Sequence, residues 1–386
     1  MLRKGQNSTP ARLPRRGPRS LFSAVVLSIL CCSGSFNALA QSSSTPLTSK
    51  EIVSLVYQLP KHPELREEVV EEIRKRGIGF PLTDGMRSLV ATKSGNDALL
   101  RRTLEEAERR RLNPTASALP PEADGSELLE RTRAATLAAT DAMPDFIVKQ
   151  LIKRVAAYGH TNNWIPQDNL TIAVTYRATA GEEYKVLTVN GLPLGQEAKE
   201  SKEYGDAVGG ATSTGEYVTG LASIFRQHSQ TDFKMVDTDL LRGRRTVVYE
   251  FEVKKPFSDL TLKADRDQLA TVGSRGRIWI DRETNRVLRF EQIATEIQAD
   301  FPITAASSLI DYDWVKINDK PYLLPSQADI FITSVHRGQT VQTRNEIRFR
   351  GYQKFGAELK VIDEIDEKDF PPEKPEPEKP EAKKPE

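Results

Sequence analysis

Cysteine is nearly absent from this sequence, and both copies, Cys31 and Cys32, fall within the first forty residues. Beyond residue 40 no disulfide, thiolate metal site or cysteine nucleophile is available. Histidine is scarce as well. His62, His160, His228 and His336 stand far apart, none pairs with another at a metal-ligand spacing, and no HExxH occurs. Each reads as a surface or loop residue. The sequence lacks a Walker-type phosphate loop and a dinucleotide glycine fingerprint. It also lacks the basic face or stripe expected of a nucleic-acid binder. No apolar stretch after Ala40 approaches the roughly 20 residues that span a bilayer as a helix. No cofactor, metal or catalytic residue is therefore assigned.

One further absence is informative. The first forty residues contain Arg3, Lys4, Arg12, Arg15, Arg16 and Arg19 and no acid. An apolar run from Leu21 to Cys32 follows, and Ala38-Leu39-Ala40 places small residues at −3 and −1 before Gln41. That pattern predicts a signal peptide cleaved after Ala40 and a periplasmic or secreted protein, with a retained N-terminal anchor as the alternative. Removing those bases turns 55 Lys+Arg against 54 Asp+Glu into 49 against 54. The segment 361–386 carries much of the resulting acidity. Pro372, Pro375, Pro377, Pro380 and Pro385 alternate there with Glu and Lys, a composition that reads as a disordered, solvated tail.

Residues 41–112 read as a small helical unit. Thr48 and Ser49 can cap a helix carrying Ile52, Val53 and Val56, and a second spans about Glu64 to Arg76 with Val69, Val70 and Ile73 at helical spacing. Gly77 ends it, Thr83 or Asp84 opens a third, and Asn96 caps a fourth through Leu100 and Leu104. Residues 113–125, with Pro114, Pro120 and Pro121, read as a linker. Helices are expected from about Ser126 to Ala139 and from Asp145 to Tyr158.

The period then changes to two. Val247, Tyr249, Phe251 and Val253 alternate with Val248, Glu250, Glu252 and Lys254, which is the pattern of a half-buried antiparallel strand. Leu170 to Ala178 pairs with Glu183 to Val189, and Arg277 to Asp281 with Val287 to Gln292. Further strands run to Arg350, nine or ten in all. The fold class is α+β: a curved antiparallel sheet with packed helices over residues 126–360, preceded by the all-α unit. Ser213-Thr214-Gly215-Glu216 is a capping box opening an amphipathic helix with Tyr217, Leu221, Ile224 and Phe225 on one stripe. Ala211-Thr212-Ser213-Thr214-Gly215 is the closest approach to a nucleophile elbow. Its upstream residues are glycine-rich rather than a buried strand, so Ser213 reads as a cap.

The acid pairs Asp237/Asp239, Asp265/Asp267 and Asp311/Asp313 read as a solvated outer sheet face; calcium or glycosidase chemistry would need further ligands or a partner acid. The aromatic supply is more suggestive. If the helix leaves part of the sheet open, Tyr217, Leu221, Phe225, Tyr249, Phe251 and Trp279 form a ligand-binding face for an acyl chain or peptide.

Gly209-Gly210-Ala211-Thr212-Ser213-Thr214-Gly215-Glu216-Tyr217 resembles a recurring segment of a family of exported bacterial proteins of unknown function. So do Leu240-Leu241-Arg242-Gly243-Arg244-Arg245, Gly276 to Thr284, and Leu309-Ile310-Asp311-Tyr312-Asp313 with Tyr322-Leu323-Leu324-Pro325. The order of these elements is also similar to periplasmic lipoprotein carriers of the LolA/LolB type, which implies a curved sheet closed by helices over an apolar cavity. Three functions remain open. The chain is a periplasmic, non-enzymatic binder of a lipid or acylated peptide, with a lipid, lipoprotein or envelope protein as partner. Alternatively it is an envelope scaffold with a filled core, binding through its helical unit or tail. The third is a periplasmic hydrolase.

Overall fold

From Phe146 onward, β-branched and aromatic residues recur between tight turns, and these segments pair into one large curved antiparallel sheet. The computed structural model describes residues 45–114, 118–159, 161, 163–194, 217, 219–264, 268–354, 365 and 370. Ser44–Glu386 forms one compact unit. The expected signal peptide, Ser213, Asp265/Asp267 and most of the tail lie outside the described residues.

The described helices are α1 (Ser49–Gln58), α2 (Arg66–Arg76), α3 (Asp84–Lys93), α4 (Ala98–Leu112), α5 (Glu122–Asp141) and the short α6 (Thr219–Ser223). In chain order the strands are β1 (Phe146–Tyr158), β2 (Ile165–Arg177), β3 (Gly181–Val189), β4 (Leu192–Pro193), β5 (Asp232–Leu241) and β6 (Arg244–Val253). Then come β7 (Thr261–Ala264), β8 (Gln268–Thr271), β9 (Gly273–Asp281), β10 (Arg286–Thr295), β11 (Ile303–Ile317), β12 (Lys320–His336) and β13 (Gln339–Lys354). Eleven strands form the main sheet in the order β4-β3-β2-β1-β13-β12-β11-β10-β9-β6-β5, while β7 and β8 pair separately.

The α+β class holds, with one element exchanged. The expected helix from Asp145 to Tyr158 is strand β1, held between β2 and β13. Both its faces are covered, Phe146, Val148 and Ile152 on one side and Ile147 and Ala157 on the other. A strand buried on both faces reads as a continuous apolar run, which periodicity cannot tell from a buried helix. Pro325 is tolerated within β12 because the β11–β12 register slips opposite it, between Asp311 and Tyr312.

The helical unit follows its sequence signals closely. Thr48 accepts from the Glu51 amide and Glu51 reaches back to the Thr48 amide, completing a capping box on α1. Gly77, at φ 65°, ends α2. The cap of α4 is Asp97, which accepts from the Leu100 amide, rather than Asn96, which is left-handed at φ 60°. Ile52, Val56, Val69, Ile73, Val90, Leu100 and Leu104 close a core of their own.

The registers define two unlike sheet faces. Tyr249, Ile278, Phe290, Ile310, Ala328, Ile347, Ile152 and Leu170 form one unbroken cross-strand row, every member buried. One residue along, Glu250, Arg277, Glu291, Leu309, Asp329, Glu346, Lys153 and Asn169 form the neighbouring row on the other face. Helices α5 and α6 cover the apolar face; α2 and α4 meet the charged one.

Candidate functional site

Five of the six residues expected to bind ligand do meet, on the apolar face. Tyr217 packs against Phe146 and Phe349 with ring centroids 5.6 and 5.3 Å apart, and its hydroxyl accepts from Gln150 Nε2 at 3.0 Å. Phe225 stacks on Phe233 at 5.5 Å, Phe233 meets Phe251 at a 45° tilt, and Phe251 stacks on Phe290. Gly276 makes room beside Phe251: a Cβ there would run into the Phe251 ring and the Glu291 carbonyl. Tyr249 donates to the Gly125 carbonyl of α5 at 2.8 Å, and burial pushes its pKa up to about 12. Leu221 of α6 lines the same small cavity as Tyr217.

Among the described residues α6 runs for five residues and stops at Ser223, short of Ile224 and Phe225 on the expected stripe, and a 3₁₀ turn follows at Gln227–Ser229. The cavity described beside it is small. A cavity of about 30 Å³ is lined by Thr136, Met143, Leu221, Arg286, Tyr312 and Leu323 among others. That is about the share of liquid volume of one water, roughly 30 Å³.

Trp279 stands apart from the other five. Alternation along β9 puts it on the charged face, where its indole N–H donates to Asp239 at 3.1 Å and the Arg289 guanidinium lies 5.6 Å from its ring.

That second face carries the densest chemistry among the described residues. Arg74 of α2 donates to both oxygens of Glu291 at 3.1 and 2.9 Å, each side chain 4% exposed. Arg109 of α4 is bidentate on Asp239, and Arg110 lies 3.1 Å from Asp237. Arg102 reaches Asp329 at 3.0 Å, and Arg289 grips Asp311 with Glu106 of α4 3.9 Å away. The acids Asp237, Asp239 and Asp311 are thus not a solvated face, because the helical unit covers them.

Burial and pairing compete differently at each group. Burial works to raise the pKa of Glu291 and Asp311, yet Arg74 and Arg289 outweigh it and both are lowered. At Glu106, Asp237 and Asp329 burial wins over the neighbouring arginines, and all three are raised. Such clustering marks functional sites and structural ion-pair networks alike.

The geometry favours the structural role for the motif acids. Asp281 accepts from Arg244, Thr284 and the Glu283 amide, locking the β9–β10 turn. Asp311 also accepts from Gln327 and ties three strands. Arg242 and Gly243, at φ 49° and 78°, make the β5–β6 turn, and Arg242 donates to the Leu288 and Tyr312 carbonyls. His228 lies 2.9 Å from Asp259 at the surface. No described group of three or more His, Cys, Asp or Glu could hold a metal ion.

Sequence reasoning missed Arg74, Arg102, Glu106 and Arg109 as buried partners. The available signal was the charged far side of α4 together with acids on strand positions that alternate with apolar ones. Fold and site together define an α+β protein built on an open antiparallel sheet, its apolar face covered by α5 and α6 and its charged face covered in part by α2 and α4. No family model and no curated protein matches the chain. Among solved structures, a crystal structure of a DUF1329 family protein from Desulfovibrio piger is similar over 60% of this chain and 95% of its own. The identity is 9% and the TM-score 0.27, a likeness that carries no argument.

Proposed function

We propose that this chain is an exported, non-enzymatic interaction protein of the bacterial envelope, a platform that works through its surfaces. The observation that supports this is the close packing of the apolar face among the described residues, where the cavity beside α6 holds about 30 Å³, against roughly 300–1,000 Å³ for ligand pockets. Export rests on the basic start and the Ala38-Leu39-Ala40 site. Native mass spectrometry of protein purified from the periplasm should find a bare polypeptide beginning at Gln41. A stoichiometric co-purifying lipid would overturn the platform reading, and an intact Met1 would remove the export.

A second reading has support from the same cavity. Met143, Leu221 and Leu323 line it beside the short α6, so displacing that helix would open an apolar seat for a lipid or acylated peptide. Leu221→Asp and Phe225→Asp separate the two. In a filled core each buries an unpartnered charge and unfolds the protein. In a displaceable lid the variants stay folded and lose binding of an apolar fluorescent probe.

A further inference from the structure

The helical unit and the sheet are joined by other means than those that hold each together. Ile52, Val56, Ile73 and Leu104 close the core of the unit, while Phe251 and Phe290 belong to that of the sheet. Among the described residues no buried apolar side chain belongs to both cores. The side chains that bridge them are charged. Arg74 on Glu291 and Arg109 on Asp239 are bidentate. Arg110 meets Asp237 at 3.1 Å, and Arg102 meets Asp329 at 3.0 Å. At the rim, Glu67 accepts from Arg275 at 2.8 Å. The Arg66 guanidinium lies over the Phe331 ring, 5.2 Å from its centre.

The buried charges are divided by sign. The unit supplies Arg74, Arg102, Arg109 and Arg110, and the sheet supplies Asp237, Asp239, Glu291 and Asp329. Arg277 and Arg289 of the same face are held by Glu250 and Asp311, within the sheet itself. Separation of the unit therefore leaves an acidic strip on β5, β10 and β12 and a basic one on α2 and α4. The contact is also unfinished. Arg74 Nε, Arg102 Nε and both Nε and Nη2 of Arg110 are buried with no hydrogen-bond partner. Buried orphan donors carry a desolvation cost, which water removes on separation. Burial likewise outweighs pairing at Asp237 and Asp329, whose pKa values are raised, so solvation favours both carboxylates in the open form.

We infer that the helical unit is a charge-held cover, which undocks as a folded body when ionic strength rises and bares the acidic strip of β5, β10 and β12. The nine residues between Leu112 of α4 and Glu122 of α5 are its tether. Fully extended, such a tether reaches roughly 30 Å, at about 3.3–3.6 Å per residue. A unit held by apolar contact would stay docked at any salt concentration. Ion pairs behave otherwise, because salt stabilises the separated charges and the Debye length falls from about 10 Å at 0.1 M to about 3 Å at 1 M. Trp279 reports the state of the cover. It is 1% exposed, and its indole N–H donates to Asp239, the carboxylate that Arg109 grips. The cover acts on the face opposite α6, so the inference stands whether or not the apolar face admits a ligand.

The test uses the full chain with Trp164→Phe and Trp314→Phe, which leaves Trp279 as its sole tryptophan. Between about 0.05 M and about 1 M NaCl, quenching of Trp279 by acrylamide should rise at least threefold while far-UV circular dichroism stays constant. Arg109→Gln with Arg110→Gln should bring that rise to at least fivefold lower salt. Arg74→Met with Glu291→Leu exchanges a bidentate pair for an apolar contact and should move it to at least twofold higher salt. If the double glutamine variant does not fold, Glu67→Gln with Arg275→Gln at the exposed rim should shift the rise to lower salt by about twofold. Quenching that stays flat to about 1 M NaCl in the folded protein, with or without the glutamines, overturns the inference. So does a loss of far-UV signal in step with the exposure of Trp279, since the unit would then be unfolding rather than undocking.

Discussion

The apolar face of the sheet and the part of the charged face beneath α2 and α4 are closed by different physics. On the first, Tyr249, Ile278, Phe290, Ile310 and Ile347 share a row under α5 and α6, and stacked rings carry the contact. On the second, Arg277, Glu291 and Asp329 share a row under α2 and α4, and guanidinium–carboxylate pairs carry it. Apolar burial is favourable wherever the helix lands; ion pairs are favourable only in one register. Desolvation consumes much of their attraction, so what they contribute most reliably is a penalty for being mispaired. The apolar face thus supplies adhesion, and the charged face supplies placement of the helical unit.

The largest test of this contrast is Arg74→Ala. It leaves Glu291 buried without a partner and should cost about 3–5 kcal/mol, read by urea unfolding. Replacing both, Arg74→Met with Glu291→Leu, should be neutral or stabilising, because matched apolar groups avoid desolvation. A cost below about 1 kcal/mol for the single change would erase the distinction between the faces.

A middle-sized effect is confined to the helical unit. Thr48→Ala removes the side-chain half of the capping box on α1 and should cost about 0.5–2 kcal/mol in thermal unfolding. If the ion pairs only place a unit already held by its own core, hydrogen exchange should rise in α1 and leave β1 to β13 unchanged. Faster exchange across β9 and β10 would mean that the sheet depends on the unit as well.

The smallest effect has the opposite sign. Glu106 has a raised pKa, so its contribution is full below the ordinary value of 4.5 and is lost as pH rises through its folded value. Glu291 and Asp311 are lowered; theirs is present above the ordinary values and is lost as pH falls through the folded ones. Glu106→Gln should therefore gain under about 1 kcal/mol at pH 7, since Arg74 and Arg289 already offset part of the burial cost. Near pH 4 the gain should vanish. A loss at pH 7 would show that Arg289 requires the charge.

Legibility followed how local each signal is. Thr48 with Glu51, Gly77 after α2, Thr83 before α3 and the alternation of β6 were all readable, because caps and half-buried strands state their environment within a few residues. The α+β class followed from the change of period. Asp237 and Asp239 were readable as two carboxylates on one strand face but not as buried ones. Their cover, Arg109 and Arg110, lies more than a hundred residues upstream, and exposure is a property of the neighbour.

By itself, then, the sequence determined the elements whose causes are local: four N-terminal helices, the hairpins around Gly181, Gly243 and Asn285, and the charges available for pairing. Tertiary structure alone decided that Phe146–Tyr158 is a strand, since only its place between β2 and β13 distinguishes it from a helix. It also decided that Trp279 parts from Tyr249 and Phe251, because register sets which face a residue joins. And it decided that Ile365 and Phe370 meet Ile147 and Leu187, since nothing local in an acid- and proline-rich segment says which surface its two large apolar side chains join.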